Sequence, residues 1–335
     1  MLDRIRSALK SVSSHVERGL TATGSFRFAD LALTIRIAAA QKADNLLRMV
    51  EHRRIASPDH GSFELDVVEG SAAVLDSLLP PLEHRPKRLV ETGADHHYYW
   101  TPERSGNLTV LDRPMRRALL WYPCAGEIAS WEFSRPFLAA IHALMLPTAW
   151  APVHAAAVGK NAAAILIAGR GGVGKTTTAL VCAEAGWDYL SDDFVLVGPR
   201  WRAISLYRSA RIREDMFSRL PASMSAVTGI STDDGEVRAE VDVGHVGRIG
   251  SADPEIRAIV VPQRAGAVSA VLAPIRRSQA LSALAGSTLV ALAGGRTETF
   301  AKLSNLVDRV PCYAFDPGPR LADIPAALAT LISPR

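Results

Sequence analysis

The chain has only three cysteines in 335 residues, Cys124, Cys182 and Cys312, and no CxxC pair. Zinc ribbons and disulfide frameworks need clustered thiols, so both are excluded as organising devices. Scattered thiols of this kind read as buried or half-buried side chains in a reducing cytosol, which makes a cytoplasmic location the expectation. Lysine is scarce too, six of the 38 basic residues, and the net charge is only +4. Without a basic cluster there is no footprint for nucleic acid. Internal repeats and low-complexity segments are missing, and 48% hydrophobic with 21% charged residues is the composition of an ordinary folded, soluble protein. The stretch of residues 137–158 contains no Asp, Glu, Lys or Arg, and its titratable side chains are His142 and His154. Pro147 and Pro152 interrupt it, so it predicts a buried helix from Phe137 to Leu146, then a turn and a strand, and no membrane span. Asp3, Arg4, Arg6 and Lys10 near the start have no apolar core behind them, which is not the pattern of a secretory leader.

The apolar residues that are present fall into periodic segments. Ile5, Leu9, Val12, Val16 and Leu20 repeat at spacings of four and three, one face of an amphipathic helix packed on the body of the protein. From about residue 60 to 130, "SFELDVVEG", "HHYYWTPE", "NLTVLD" and "RALLWYP" predict short strands in an antiparallel region. His96 and His97 sit beside Tyr98, Tyr99 and Trp100 without further ligands nearby, so they predict an aromatic strand rather than a metal site. From Val153 the pattern changes. "VHAAAVG" and "AAAILIAG" flank the turn "KN"; "KTTTALVCAEAG" predicts a helix stopped by Gly186; "WDYLSDDFVLVG" predicts a strand with a polar break. "GEVRAEVDVG", "RAIVVPQ" and "AVSAVLAPI" predict further strands, and "SQALSALAG", "ETFAKLSNLVDRV" and "IPAALATLI" helices. The expected organisation is an N-terminal α+β region, residues 1–145, followed by an α/β domain, residues 146–335.

Within that second domain, "GRGGVGKT" matches GxxxxGK[ST] at Gly169, Gly174, Lys175 and Thr176. Glycine allows the turns that aim successive N–H groups at phosphate oxygens. The helix behind it presents its positive N-terminal end to the same anion. Lys175 adds a full charge and the Thr176 hydroxyl is a ligand for Mg²⁺. By average residue usage, a chance match occurs about once in a hundred chains of this length. An apolar strand leads in and a helix leads out, so the stretch reads as a nucleotide phosphate site.

Asp192 and Asp193 follow sixteen residues after Thr176, at the polar break of a strand flanked by apolar residues. Two acids there without a cation are costly to bury. A short connection places their strand next to the one that leads into the glycine-rich loop, where one carboxylate ligates a metal and the other accepts a proton. Asp233-Asp234, in "STDDGEV", reads instead as a solvated hairpin tip. His154, among alanines fifteen residues ahead of Gly169, reads on spacing alone as a packed core residue.

Residues 153–197 together, "VHAAAVGKNAAAILIAGRGGVGKTTTALVCAEAGWDYLSDDFVLV", resemble the catalytic core of HPr kinase/phosphorylase and its relatives. That family has a strand His, a hairpin, a P-loop, a helix ending in Gly and an Asp-Asp pair, and is related in fold to the ATP-dependent phosphoenolpyruvate carboxykinases. The resemblance implies an α/β P-loop kinase core, ATP and Mg²⁺ as cofactors, and a protein or peptide Ser/Thr hydroxyl as acceptor. It implies that Gly169, Gly171, Gly172, Val173, Gly174, Lys175, Thr176 and Thr177 hold the nucleotide and that Thr176 and Asp193 hold Mg²⁺. Asp192 is then the general base and His154 shapes or polarises the site; the two Asp roles are exchangeable. A family that tends to assemble also implies a homo-oligomer. The family's Glu-Ile-Arg-Gly-Leu-Gly signature is missing. In its place stands "LYRSARIRED", residues 206–215, where Arg208, Arg211 and Arg213 read equally as phosphate-neutralising or solvated. This chain is more similar to the divergent members of modified-peptide pathways, some of which phosphorylate a Ser of a lasso-peptide precursor. The competing expectations are a small-molecule P-loop kinase and a nucleotide-gated binding protein without transfer.

Overall fold

The computed structural model describes residues 2–38, 43–58, 61–70, 89–100, 107–122, 130–233 and 235–332. The protein is of the α/β class, with mixed sheets and helices in two compact units. One unit is Met1–Thr148 with Ala293–Gly295; the other is Ala149–Leu292 with Arg296–Arg335. No helix among the described residues is long and apolar enough to cross a membrane.

The first unit holds a seven-stranded sheet in the order β1-β2-β3-β7-β6-β5-β4. Its strands are β1 (Ala22–Phe28), β2 (Leu31–Ala38), β3 (Phe63–Glu69), β4 (Leu89–Thr92), β5 (His96–Trp100), β6 (Leu108–Asp112) and β7 (Arg117–Tyr122). The expected antiparallel region holds from β4 to β7 and fails at β3, which pairs in parallel with both β2 and β7. These pairings join segments distant in the chain, and alternation along one strand carries no information about its partner's direction. Helix α1 (Leu2–Gly19) lays Ile5, Leu9, Val12 and Val16 on this sheet against Tyr98, Trp100, Leu108, Val110, Leu119 and Trp121. Leu20 does not belong to that face: it lies beyond the helix end and is exposed. Every residue of β6 is buried because α2 (Leu138–Met145) also packs against it. Helix α2 buries seven of its eight residues, in agreement with the predicted buried helix. His97 is buried and bonded to Thr92 Oγ1 (2.9 Å); burial and the neighbouring His142 and Arg113 push its pKa down to about 3. It is a neutral core histidine, and among the described residues no group of three or more His, Cys, Asp or Glu gathers to hold a metal.

The second unit is built on a larger sheet, with the path β17-β11-β9-β10-β18-β13-β12-β8. Its strands are β8 (Ala151–His154), β9 (Ala156–Lys160), β10 (Ala163–Ile167), β11 (Asp188–Ser191), β12 (Phe194–Gly198), β13 (Arg202–Ser205), β17 (Arg248–Ile249) and β18 (Glu255–Pro262). Strand β20 (Cys312–Asp316) pairs with β18, and β19 (Val271–Pro274) with β20. A separate three-stranded sheet runs β14-β16-β15, from β14 (Ser209–Arg213), β15 (Val227–Asp233) and β16 (Glu236–Asp242). Asp233 pairs with Glu236 at the end of that hairpin, and Asp234 lies outside the described residues. Helix α3 (Lys175–Glu184) packs in one core with Val158, Ile165, Trp187, Tyr189 and Phe315, joined by α6 (Ile324–Ala329). Helices α4 (Arg277–Ala291) and α5 (Arg296–Arg309) pack in a different core with Val153, Leu166, Val195 and Ile259. Cys182 and Cys312 are buried; Cys124 lies outside the described residues.

Two local expectations change. "VHAAAVG" is two strands, β8 and β9, broken at Ala155, and the tight turn is Asn161-Ala162, with φ of 52° and 59°, rather than "KN". Two consecutive positive φ values suit the twist of a two-residue hairpin, and Lys160 remains in the ladder opposite Ala163. The Asp-bearing strand β11 also does not lie next to β10. It pairs with β9, which is antiparallel to both, so β9 sits between them. A hairpin leading into the loop occupies the neighbouring lane, and the strand after α3 must take the next one. β11 and β10 still run the same way, so the end of β11 and the glycine-rich loop open on the same sheet edge.

Candidate active site

The loop that follows β10 explains its own glycines. Gly169, Gly172 and Gly174 have φ of 148°, 81° and 104°, conformations that side chains resist. Gly171 is different: no strain demands glycine there, and a Cβ added to it would meet nothing within 4 Å. Its smallness therefore leaves room outside the protein rather than inside it. Gly174 caps α3 without a side-chain hydrogen bond, so no side chain of the cap competes for the helix's first N–H groups. Val173 packs over Gly169, and Thr177 is half-buried in the first turn of α3.

Lys175, 7% exposed, folds back under the loop, where Nζ donates to the carbonyls of Gly169 (2.8 Å) and Arg170 (3.1 Å). Burial pushes its pKa down, and the charges of Asp193 and Asp192 oppose that. Two carbonyl oxygens accept from the three-hydrogen ammonium group without cancelling its charge, so a cation is held beneath the glycine-rich loop.

The acids sit where the two-stranded ribbon β8–β9/β11–β12 loses its ladder. Ser191 pairs with Ala157 and Phe194 with His154, and Asp192 and Asp193 lie between. Thr176 Oγ1 donates to Asp192 Oδ2 (3.1 Å), tying the first turn of α3 to the end of β11. The same carboxylate accepts from the Tyr189 hydroxyl (2.9 Å) and the Arg211 backbone N–H (3.2 Å). Tyr189 also lies 2.7 Å from the Ser209 carbonyl, so a single phenol proton has two acceptors. Burial and the like charge of Asp193 push the Asp192 pKa up to about 6. Asp193 is bonded by His154 Nε2 (2.8 Å) and is the more accessible acid, its side chain 34% exposed. His154 Nε2 faces a carboxylate that only accepts, so Nε2 carries the proton donated to Asp193, while Nδ1 is buried without a partner. The ring packs on Phe194 at 5.1 Å, and the His154 backbone N–H is held by Thr288 Oγ1 (3.0 Å).

The residues singled out by sequence thus converge: loop, Lys175, Thr176, Asp192, Asp193 and His154. The arginines of residues 206–215 separate. Arg208 is engaged by the buried Asp242 (2.8 Å). Arg211 serves Asp192 through its backbone, while its side chain bonds Ser231 (3.4 Å). Arg213 Nη1 lies 3.6 Å from where a Cβ on Gly172 would stand, beside Asp215 and Glu236. Tyr189 and the Arg211 amide were not foreseen. Tyr189 lies three residues before Asp192 on an apolar strand, where a phenol signals packing; the amide carries no sequence signal at all. The chain matches no known family model and no curated protein.

Proposed function

We propose that this protein is an ATP- and Mg²⁺-dependent kinase of the HPr-kinase-like kind, transferring the γ-phosphoryl group to a Ser or Thr hydroxyl of a protein or peptide. The observation that carries this reading is the hydrogen bond from Thr176 to Asp192, which joins the glycine-rich loop to an acid pair whose second member is held by a histidine. The donor set suits the cofactors. The Thr176 hydroxyl and Asp192 carboxylate are hard oxygens of the kind Mg²⁺ accepts, and the space at Gly171 admits phosphate. When bound, Mg²⁺ would neutralise phosphate charge.

The protein's own groups then divide the work. Loop amides and the α3 N-terminus orient the triphosphate and Lys175 neutralises it, while Arg213 beside Gly172 is already shared between Asp215 and Glu236. The hydrogen-bond partners favour the exchanged assignment of the acids. Asp192 belongs with Thr176 on the cation side, and Asp193, oriented by His154 and accessible, takes the proton of the attacking hydroxyl. The hydroxyl oxygen bonds to the γ-phosphorus, the bond to the β-phosphate bridging oxygen breaks, and ADP leaves. The test is transfer of γ-labelled phosphate to candidate peptides and proteins, with binding measured in parallel. Label on Ser or Thr, lost in Asp193→Asn with ATP binding kept, is the expected result. A wild type that binds ATP and labels no acceptor would sink the kinase reading.

A further inference from the structure

The acid pair and the glycine-rich loop give the bound nucleotide a direction. Asp192 and Asp193 lie at the end of β11, on the β9 side of β10. On the other side of β10 lies β18, parallel to it, and beyond β18 lies β20, parallel again. At about 4.8 Å per strand, the segments leaving β18 and β20 stand roughly 5 and 10 Å along the same edge from the loop. A triphosphate that runs along this edge with its γ end at the acids has its nucleoside end over these segments.

They form a pre-built unit. Asp316, at the end of β20, accepts from the backbone N–H of Ala265 (2.7 Å) and Ala267 (3.1 Å) with one carboxylate oxygen, and from Gly318 (3.0 Å) with the other. Gly318, at φ +64°, approaches Ser269 so closely that a Cβ there would stand 2.7 Å from the Ser269 carbonyl carbon. On the loop so pinned, Val268 is 90% exposed. An apolar side chain held out into water by a fixed backbone is placed to cover something flat and apolar.

Resting on the kinase reading above, we propose that residues 263–270, pinned by Asp316, seat the base of the donor nucleotide, with Val268 against one face of the ring. Val268 is almost wholly exposed, so its substitution spares the fold. The test compares binding of Mg²⁺–ATP and of Mg²⁺–tripolyphosphate, which lacks the nucleoside. Val268→Ser should weaken ATP about three- to tenfold and leave tripolyphosphate within about twofold, while Val268→Phe should tighten ATP alone. Unchanged ATP affinity in both variants, or equal changes for both ligands, overturns the base seat while wild-type binding of tripolyphosphate preserves the phosphate site. A wild type that binds neither ligand removes the phosphate site, and the seat with it.

Discussion

Buried acids in this molecule are held in two ways: on guanidinium groups, as Asp66 and Asp112 in the first unit and Asp242 in the second, or on neutral donors, as Asp192 in the second unit and Glu132 in the first. In the first unit Asp66, 2% exposed, is gripped by the Arg36 guanidinium at 2.8 and 3.0 Å, and Asp112, fully buried, is met by Arg6 at 2.9 Å. In the second, Asp192 receives two hydroxyls and a backbone amide, and the like charge of Asp193 adds to burial in raising its pKa. An acid matched to a guanidinium is complete. An acid matched to neutral donors and a like charge is stabilised by adding a cation. The first arrangement builds a fold; the second is poised for a ligand.

That contrast is best sharpened by substitutions on both sides. The largest effect expected is on transfer: Asp193→Asn should lower it about 10²- to 10⁴-fold, with ATP affinity within about threefold, measured by labelling and calorimetry. An equal loss of affinity would move Asp193 to the cation side. Next, Arg36→Ala should cost about 3 kcal/mol in urea unfolding, since it leaves the buried Asp66 with only the more distant Arg117 at 3.8 Å, and leave ATP binding unchanged.

Asp192→Asn should act in the opposite sense on stability. The Asp192 pKa is raised on folding, so the folded state holds the extra proton between about pH 4 and 6 and stability falls as pH rises through that window. The variant should therefore exceed the ligand-free wild type by about 1–3 kcal/mol at pH 7, and the gap should close towards pH 4. A variant less stable than wild type at pH 7 would place Asp192 with Asp66 as a structural acid. For the same reason, Mg²⁺-dependent ATP binding by wild type should weaken below about pH 6. The smallest effect belongs to Gly171→Ala, whose new methyl meets no protein atom. It should leave the melting temperature alone and weaken ATP severalfold; an unaltered affinity would mean the space is not used.

How much of this was legible depends on whether the determining contact is local. The glycine-rich loop, α3 and its stop at Gly186 are set by neighbouring residues, and the sequence displays them. The acid pair was legible because apolar residues on both sides made two carboxylates conspicuous. Strands β1 and β2 also carried a signal, the alternation of Phe26 with Phe28 and of Leu33, Ile35 and Ile37, all buried, but a strand region counted from about residue 60 leaves them out. The parallel pairing of β3, the lane taken by β9 and the Arg211 amide on Asp192 are long-range events. They follow from which segments share a sheet, and no local pattern encodes that. The division of labour between Asp192 and Asp193 was open for the same reason: adjacent in sequence, they differ only in what the fold brings to each.

The central claim is that the loop, Lys175 and the acid pair form a nucleotide phosphate site. The most direct measurement is calorimetric binding of ATP, with and without Mg²⁺, to wild type and Lys175→Ala. The account predicts Mg²⁺-dependent binding by wild type, weakened about a hundredfold or more in the variant, as expected when a buried cation is removed from a phosphate contact. Binding of equal strength in the two proteins, or no binding by wild type, would contradict it.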